Sequence, residues 1–539
     1  MATGYHSQVL DHLGLVAAMY EELGMGEVID HAIAQDLTKR TVSLGQAVKA
    51  MVLNGLGFVN QQLYLIPTFF QNKPTERLLG PGIAAAHLND DVLGRTLEAL
   101  YDYGVTPLYS LIAAQAATRL ELASPFAHLD TTSFHVDGRY NSADAPAETV
   151  VHITPGYSRD HRPDLNQVML ELIVEHQAGL PLLMKPLSGN TNASAEFGQV
   201  ITAPVRQLCT AHRVTTLVAD SALYSAANLV QLAESGVPWI TRVPATVREA
   251  QEVLTRTNPE TMIPLTDGYR YHATLATYGG VRQRWIVVYS DPRRQHVQRT
   301  VAKHVRTQGE TALHAFKQLC RTPFACALDA QQALEVFQRS LQVTQLEDGT
   351  VRAVRRYGKR GRPAKTTPGE SIEYRIEGAL ALSLAVRRAL LEMKSCFLLA
   401  TNALDAQALP AQEILAGYKG QSASERGCRF LKDPRFLASS LYLKKPERLM
   451  ALLMVMTGCL LVYAALEYRI RRALHGQQES FPDQKGRPSQ QPTARWIFPA
   501  FIGIHVLFGG ESEPLVLNLH EQHQLVLRLL GAPYIALYS

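Results

Sequence analysis

The chain has 539 residues, too long for one compact domain and enough for about two to four. Hydrophobic residues make up 46%, which excludes global disorder, and a net charge of +5 permits a nucleic-acid partner without demanding one. The six cysteines (Cys209, Cys320, Cys326, Cys396, Cys428, Cys459) form no CxxC pair. That spacing argues against a zinc site or a disulfide frame and points to a reducing cytosol. The start, Met-Ala-Thr-Gly-Tyr-His, lacks a basic region followed by an apolar run, so no secretory signal is expected.

Residues 1–120 read as a helical domain. Leu10, Leu13, Val16, Met19 and Tyr20 recur at helical spacing, as do Leu44, Val48, Met51 and Val52. Asn89 or Asp90 caps a further run, Leu93–Tyr101. A helix-turn-helix-like pair fits this region, as it fits any helical bundle, and no base-reading code is visible.

An α/β region follows. Phe126–Phe134 reads as a strand bearing Asp130. Strands are expected at Glu148–Thr154, Val168–Glu175 and Leu182–Leu187, and a helix from Asn190 to about Leu208. Val214–Asp220 reads as a buried strand ending on a carboxylate, and Ser225 caps a helix that stops near Gly236. An Asp at a strand end is usually a turn former or a cap. Here Asp130 and Asp220 each sit on a strong apolar strand. Three antiparallel-type strands, a helix and a parallel strand are the order of a ribonuclease-H-like fold, in which sites gather at strand ends.

Tyr269–Thr277 and Val281–Tyr289 alternate around Gly279-Gly280, a hairpin signal. A helical stretch is expected over about 293–340. Val351–Lys365 then packs Arg355, Arg356, Lys359, Arg360 and Arg362 beside glycine and proline. It reads as a mobile basic loop, either a solvated linker or a contact for DNA phosphates or a minor groove. Strands at Glu373–Ile376 and Cys396–Ala400 lead onward.

Tyr418, Glu425 and Lys432 are spaced by seven, with Gln421 on the same stripe, so one helix face carries all four. A carboxylate flanked by a phenol and an ammonium does not suit a core. It suits a surface that holds a metal ion and a phosphate backbone, although a solvated helix would also carry such charges. Leu449–Leu466 has no charge over eighteen residues; a buried core helix is expected there rather than a membrane span. Residues 475–495 are rich in Gln, Pro and Ser and read as flexible, and Leu519–Leu530 as a closing helix.

The Tyr418, Gln421, Glu425, Lys432 stripe resembles the third-acid helix of bacterial insertion-sequence transposases of the Asp-Asp-Glu type. It matches the branch whose signature is Tyr, Arg, Glu, Lys, except that Gln421 stands for the Arg. His128-Leu-Asp130-Thr-Thr-Ser133, Gly156 through Gln167, Gly189-Asn190 and Ala219-Asp220-Ser-Ala-Leu-Tyr224 resemble further blocks of that family, so the likeness spans about 126–450. It implies an α/β architecture: a ribonuclease-H-like catalytic core interrupted by a β-rich insertion and preceded by an all-helical N-terminal domain. On this basis the domains are 1–120 (DNA binding), 121–245 and 391–470 (the two parts of the core), 246–390 (the β-rich, basic insertion) and 471–539 (a flexible segment and a helical end). In related enzymes an aromatic of the insertion stacks on a flipped base; Trp285 is the candidate here, with a core role as its alternative.

The resemblance further implies two Mg²⁺ ions, replaceable by Mn²⁺, held by Asp130, Asp220 and Glu425. DNA would be held by Tyr418, Gln421 and Lys432, and by Arg355, Arg356, Lys359, Arg360 and Arg362. Phosphodiester chemistry needs an activated water and relief of charge on the leaving oxygen, which paired divalent ions supply. The partners expected are double-stranded DNA (terminal inverted repeats and target), a second copy in a synaptic homodimer, and no membrane. The expected location is the bacterial cytoplasm, at the nucleoid. Two alternatives stay open: a ribonuclease-H-like nuclease that cuts without joining, and a DNA-binding derivative without catalysis. A two-carboxylate glycosidase would need neither Lys432 nor the basic run.

Overall fold

The computed structural model describes residues 5–58, 63–123, 125–136, 151–156, 162, 164–191, 214–356, 371–433, 443, 445–509 and 513–539. After a short strand β1 (His6–Val9), the apolar spacing of the first 120 residues produces α1 (Leu13–Glu22), α2 (Met25–Ala32), α3 (Leu44–Leu56), α4 (Ile66–Phe70), α5 (Thr75–Leu79), α6 (Asp90–Tyr103) and α7 (Val105–Arg119). Helix α3 begins at a capping box: the Ser43 hydroxyl accepts the Gln46 N–H, and the Gln46 side chain accepts the Ser43 N–H. Asn89 caps α6 by accepting from the Val92 N–H.

From Phe126 the chain builds a mixed sheet. Strands β2 (Phe126–Val136), β3 (Asn166–Glu175) and β4 (Pro181–Ser188) form an antiparallel meander. Next come β5 (Thr216–Ala219), α8 (Ala226–Ser235) and β6 (Trp239–Arg242). After α9 (Arg248–Arg256), strands β7 (Ile263–Thr266), β8 (Tyr269–Tyr278) and β9 (Val281–Ser290) follow. The chain then leaves the sheet through α10 (Asp291–Arg321), α11 (Ala327–Ser340), the two-stranded ribbon β10 (Thr344–Arg356) and β11 (Ser371–Leu382), and α12 (Leu384–Ser395). It re-enters as β12 (Cys396–Thr401), hydrogen-bonded to both β6 and β9. The order is β4-β3-β2-β5-β6-β12-β9-β8-β7, with β5 parallel to β2 and to β6 and the remaining pairs antiparallel.

Several expectations shift. The Gly279-Gly280 hairpin forms, both glycines having positive φ, but it joins the main sheet instead of an inserted one. Strand β9 is buried on both faces, so its alternation was a weak guide to an exposed ribbon. The excursion therefore runs from 291 to 395 and is mainly helical. The basic run is not all loop: Arg355 and Arg356 lie in β10, and Arg356 pairs with Glu373 at 2.6 Å. Lys359, Arg360 and Arg362 lie outside the described residues, as do 148–150 and nearly all of the helix expected at 190–208. Of the strand expected at 148–154, Thr154 makes only an isolated bridge to Gln167.

Helices α8 and α9 cover one face of the sheet, with Leu229, Leu232 and Ala250 against Leu129, Ala219 and Trp239. On the other face, α13 (Ala411–Lys419) places Ile414 and Leu415 on Phe126, Val218, Ile240 and Leu399. Next in the chain, α14 (Ser422–Leu431) packs on β2 and β3. The apolar segment becomes α15 (Pro446–Gly476), which meets α1, α3, α6, α7 and β4 and is 94% buried over its most apolar stretch. It is long and apolar enough to cross a membrane, yet its apolar residues are covered by this chain's own helices.

The Gln/Pro/Ser-rich stretch is packed where a flexible segment was expected. Phe481 is buried, and the Trp496 indole N–H donates to the Pro482 carbonyl at 2.7 Å. Within the stretch β13 (Phe481–Pro482) pairs with β14 (Pro488–Ser489), and beyond α16 (Ala494–Ala500), β15 (His505–Phe508) pairs with β1, joining the two ends of the described chain. Helix α17 (Glu521–Leu530) packs on α15, α18 (Ala532–Leu537) closes on α1, and Tyr538 donates to the Asp11 carbonyl at 2.6 Å. A large apolar cluster thus unites the N-terminal helices, α15, the C-terminal elements and one face of β2–β4. Leu461 is fully buried in it. Leu461→Ala should cost about 2–5 kcal/mol of stability, seen as a lower thermal unfolding midpoint by circular dichroism. An unchanged midpoint would mean that α15 is not a packing centre.

Candidate active site

The parallel pairing of β2, β5 and β6 sets the site. Leu129 is in register with Ala219, and Ala219 with Thr241. The next position on each strand is Asp130, Asp220 and Arg242, so the three fall in one row across three adjacent strands. Neighbouring strands are about 4.8 Å apart, which sets the two carboxylates side by side and an arginine beside the second. By strand alternation the row shares its face with Phe126, Val218 and Ile240, the residues under α13. Asp130 and Asp220 are each half-buried. Asp130 accepts the Thr131 N–H at 2.8 Å. Asp220 accepts the Ala222 N–H at 2.9 Å, and its carbonyl takes the Thr241 hydroxyl at 2.6 Å.

The expected stripe 418–432 is two helices. Tyr418 ends α13, Gln421 sits at the break, Glu425 lies on α14, and Lys432 caps the α14 C-terminus. At the break the Gln421 N–H bonds three residues back, to Tyr418, and Gly420 lies against the His176 and His128 rings. A Cβ at Gly420 would stand 2.1 Å from His176, so no other residue fits without moving that ring. The break turns the stripe. Tyr418 bonds Arg242 and feels both Asp220 and Glu425. Burial pushes its phenol up from the ordinary value, with Arg242 pulling the other way. Gln421 is buried, Glu425 is exposed, and Lys432 borders a separate cleft of about 500 Å³ with His176, Arg426 and Arg471.

The structure therefore brings Asp130, Asp220 and Tyr418 together with Arg242, and holds Glu425 within electrostatic reach of Tyr418. Among the described residues, no group of three His, Cys, Asp or Glu side chains is arranged to hold one metal ion. The two aspartates fit a hard divalent cation by donor chemistry; Glu425 is not in ligand position with them. Arg355 and Arg356 stand on the separate β10–β11 ribbon. Trp285 is a core residue, 1% exposed, with its indole N–H on Gln283.

Sequence reasoning missed Arg242, although Trp239–Arg242 ends a buried strand on a charge just as Val214–Asp220 does. It also missed Arg293 at the start of α10, whose guanidinium is lowered by burial and then by Arg242, and which feels Tyr418. The third omission is the pair under Gly420. His128 Nε2 lies 2.8 Å from His176 Nδ1, and the rings stack.

A family model described as a transposase DDE domain matches residues 126–462, and one described as a domain of unknown function (DUF4277) matches residues 5–114. Among solved structures, the chain is similar to piggyBac transposase in a cryo-EM synaptic complex with hairpin DNA. That likeness has 10% identity and a TM-score of 0.37, over 93% of this chain and 83% of that one. No curated protein matches.

Burial, and then His176, bring His128 down to about 3 from an ordinary 6.5. Between those values the unfolded chain binds the extra proton. The neutral pair therefore stabilises the fold fully above pH 6.5, and that contribution is lost as pH falls toward 3. His128→Gln should flatten the fall in thermal midpoint between pH 6.5 and 4.5. An acid limb as steep as the parent's would remove the pair from the proton balance.

Proposed function

The chain belongs to the transposase DDE-domain family, and from that premise we propose that it is the DNA transposase of an insertion sequence, of the Tyr-Arg-Glu-Lys branch, cutting DNA at its element's ends and joining them to a new target. The observation that carries this reading is the row Asp130, Asp220, Arg242 with Tyr418 above it. The sheet order β4-β3-β2-β5-β6, antiparallel and then parallel, with α8 crossing between β5 and β6, supports a ribonuclease-H-like core.

Asp130 and Asp220 would hold divalent ions, for which Mg²⁺ is the natural choice, with Glu425 as the third ligand once its exposed side chain turns to the row. Such ions, when bound, activate a water or a 3′-hydroxyl and relieve charge on the leaving oxygen. The protein's own groups do the rest. Arg242 is a fixed cation beside the carboxylates and offers paired donors to a phosphate that enters there. Tyr418 stays protonated across the physiological range and donates through its phenol. Lys432, on the neighbouring cleft, meets the strand as it leaves the row, and Gln421 holds the break between the two helices. The N-terminal helices bind the element ends, two copies pair in synapsis, and the reaction takes place in the bacterial cytoplasm.

A derivative that binds DNA without cutting it is the competing reading. It is favoured by one observation, that no three acids among the described residues are arranged around one ion. Labelled DNA carrying the element end, incubated with the protein and Mg²⁺ or EDTA, separates the two. Cleavage should require metal and be lost in Asp130→Asn, Asp220→Asn and Glu425→Gln while end binding persists; joined products exclude a plain nuclease. Arg242→Gln should slow cleavage about 10²-fold. Binding with no cutting under any metal would leave the derivative standing.

A further inference from the structure

We propose that α10 is a duplex-tracking surface, a second DNA contact that carries the flank of the same DNA held at the acidic row. The inference rests on DNA being the substrate. Helix α10 contains seven lysines and arginines against two carboxylates. Five of the cations are Arg299, Lys303, Arg306, Lys317 and Arg321. At 100° per residue they project within an arc of about 60° along one face. All five are exposed. The opposite face is apolar: Val301, Val305 and Phe316 are buried against α12, α11 and the β10–β11 ribbon. The cationic face is therefore held outward by packing on its reverse side.

Length and position select the partner. From Arg299 to Arg321 the stripe runs about 33 Å at 1.5 Å per residue, close to the ~34 Å of one duplex turn. Glu310 interrupts it once and is paired to Arg306 at 2.9 Å, which leaves the stripe strongly positive. The helix starts beside the site, since Arg293 in its first turn feels Arg242 and Tyr418. A duplex lying on the row and running along α10 would meet phosphate-facing cations at both ends of the stripe, Arg299, Lys303 and Arg306 in one group and Lys317 and Arg321 about one duplex turn from its start. An acidic peptide could meet the same charges, but nothing would align it with the row.

The test compares salt dependence of binding to a random 40-base-pair duplex. A stripe variant, Arg299→Gln/Lys303→Gln/Arg306→Gln/Lys317→Gln/Arg321→Gln, is set against a charge-matched control, Arg248→Gln/Arg256→Gln/Lys485→Gln/Arg487→Gln/Arg528→Gln, on exposed positions elsewhere. The slope of log Kobs against log salt should become shallower by about 3 to 4 units in the stripe variant and change little in the control. Should the fivefold variant fail to fold by circular dichroism, Arg299→Gln/Lys303→Gln should still lower the slope by about 1.5 to 2 units. An unchanged slope, or an equal loss in the control, overturns the inference and leaves the transposase reading intact. If the parent protein bound no duplex DNA, both would fall; a shallower slope in the stripe variant together with loss of cleavage in Asp130→Asn would support both.

Discussion

The register of three adjacent strands is the constraint on which the site depends. Strand β5 is only four residues long, yet its parallel pairing with β2 and β6 aligns Leu129, Ala219 and Thr241, and so places Asp130, Asp220 and Arg242 in the next row. A slip by one residue would send the acids to the face under α8 and α9, where they would be buried among aliphatic side chains at a large desolvation cost. The apolar pattern prevents that slip. Leu129 and Ala219 belong to one core, Phe126, Val218 and Ile240 to the other, and neither set can be exchanged without burying charge.

Everything above the row adapts to it. The face bearing the acids is apolar on both sides of them, so α13 packs on Phe126 and Val218 while α14 packs further along, its Cys428, Phe430 and Leu431 in the core that holds Phe134 and Leu172. Gly420 makes the turn between the two helices possible by leaving room for the stacked histidines. The same two-helix arrangement brings Tyr418 to Arg242 and leaves Glu425 exposed, within reach of the site but outside ligand position. The long excursion from 291 to 395 leaves the sheet after β9 and returns as β12 directly beside it, so it is accommodated without disturbing the strand order.

Helix α15 couples this sheet to the rest of the chain. Burying its apolar residues from both sides supplies a hydrophobic drive that neither the N-terminal helices nor the β2–β4 meander could generate alone. Because β1 pairs with β15 and Tyr538 closes on Asp11, the N-terminal region and the C-terminal segment share one core with α15. A strain on the N-terminal helices would therefore be felt at the sheet through packed side chains rather than through a linker.

Local pattern alone was enough to read the N-terminal helices, the strands at Asp130 and Asp220, the helix capped by Ser225, the Gly-Gly hairpin and the buried apolar helix, because periodicity, caps and turn glycines act within a few residues of themselves. Those signals also singled out Asp130, Asp220 and the stripe Tyr418, Gln421, Glu425 and Lys432. Which side chains meet was decided only by the tertiary structure. Arg242 gained its place by strand register. The Tyr418–Lys432 stripe was broken by a glycine whose neighbours, His128 and His176, lie more than 240 residues away in sequence. Strands β8 and β9 joined the main sheet because β12 returned beside them, and the Gln/Pro/Ser stretch was ordered by Phe481 and Trp496 finding a core built from the opposite end of the chain. Each of these is a long-range contact, and no local spacing encodes its partner.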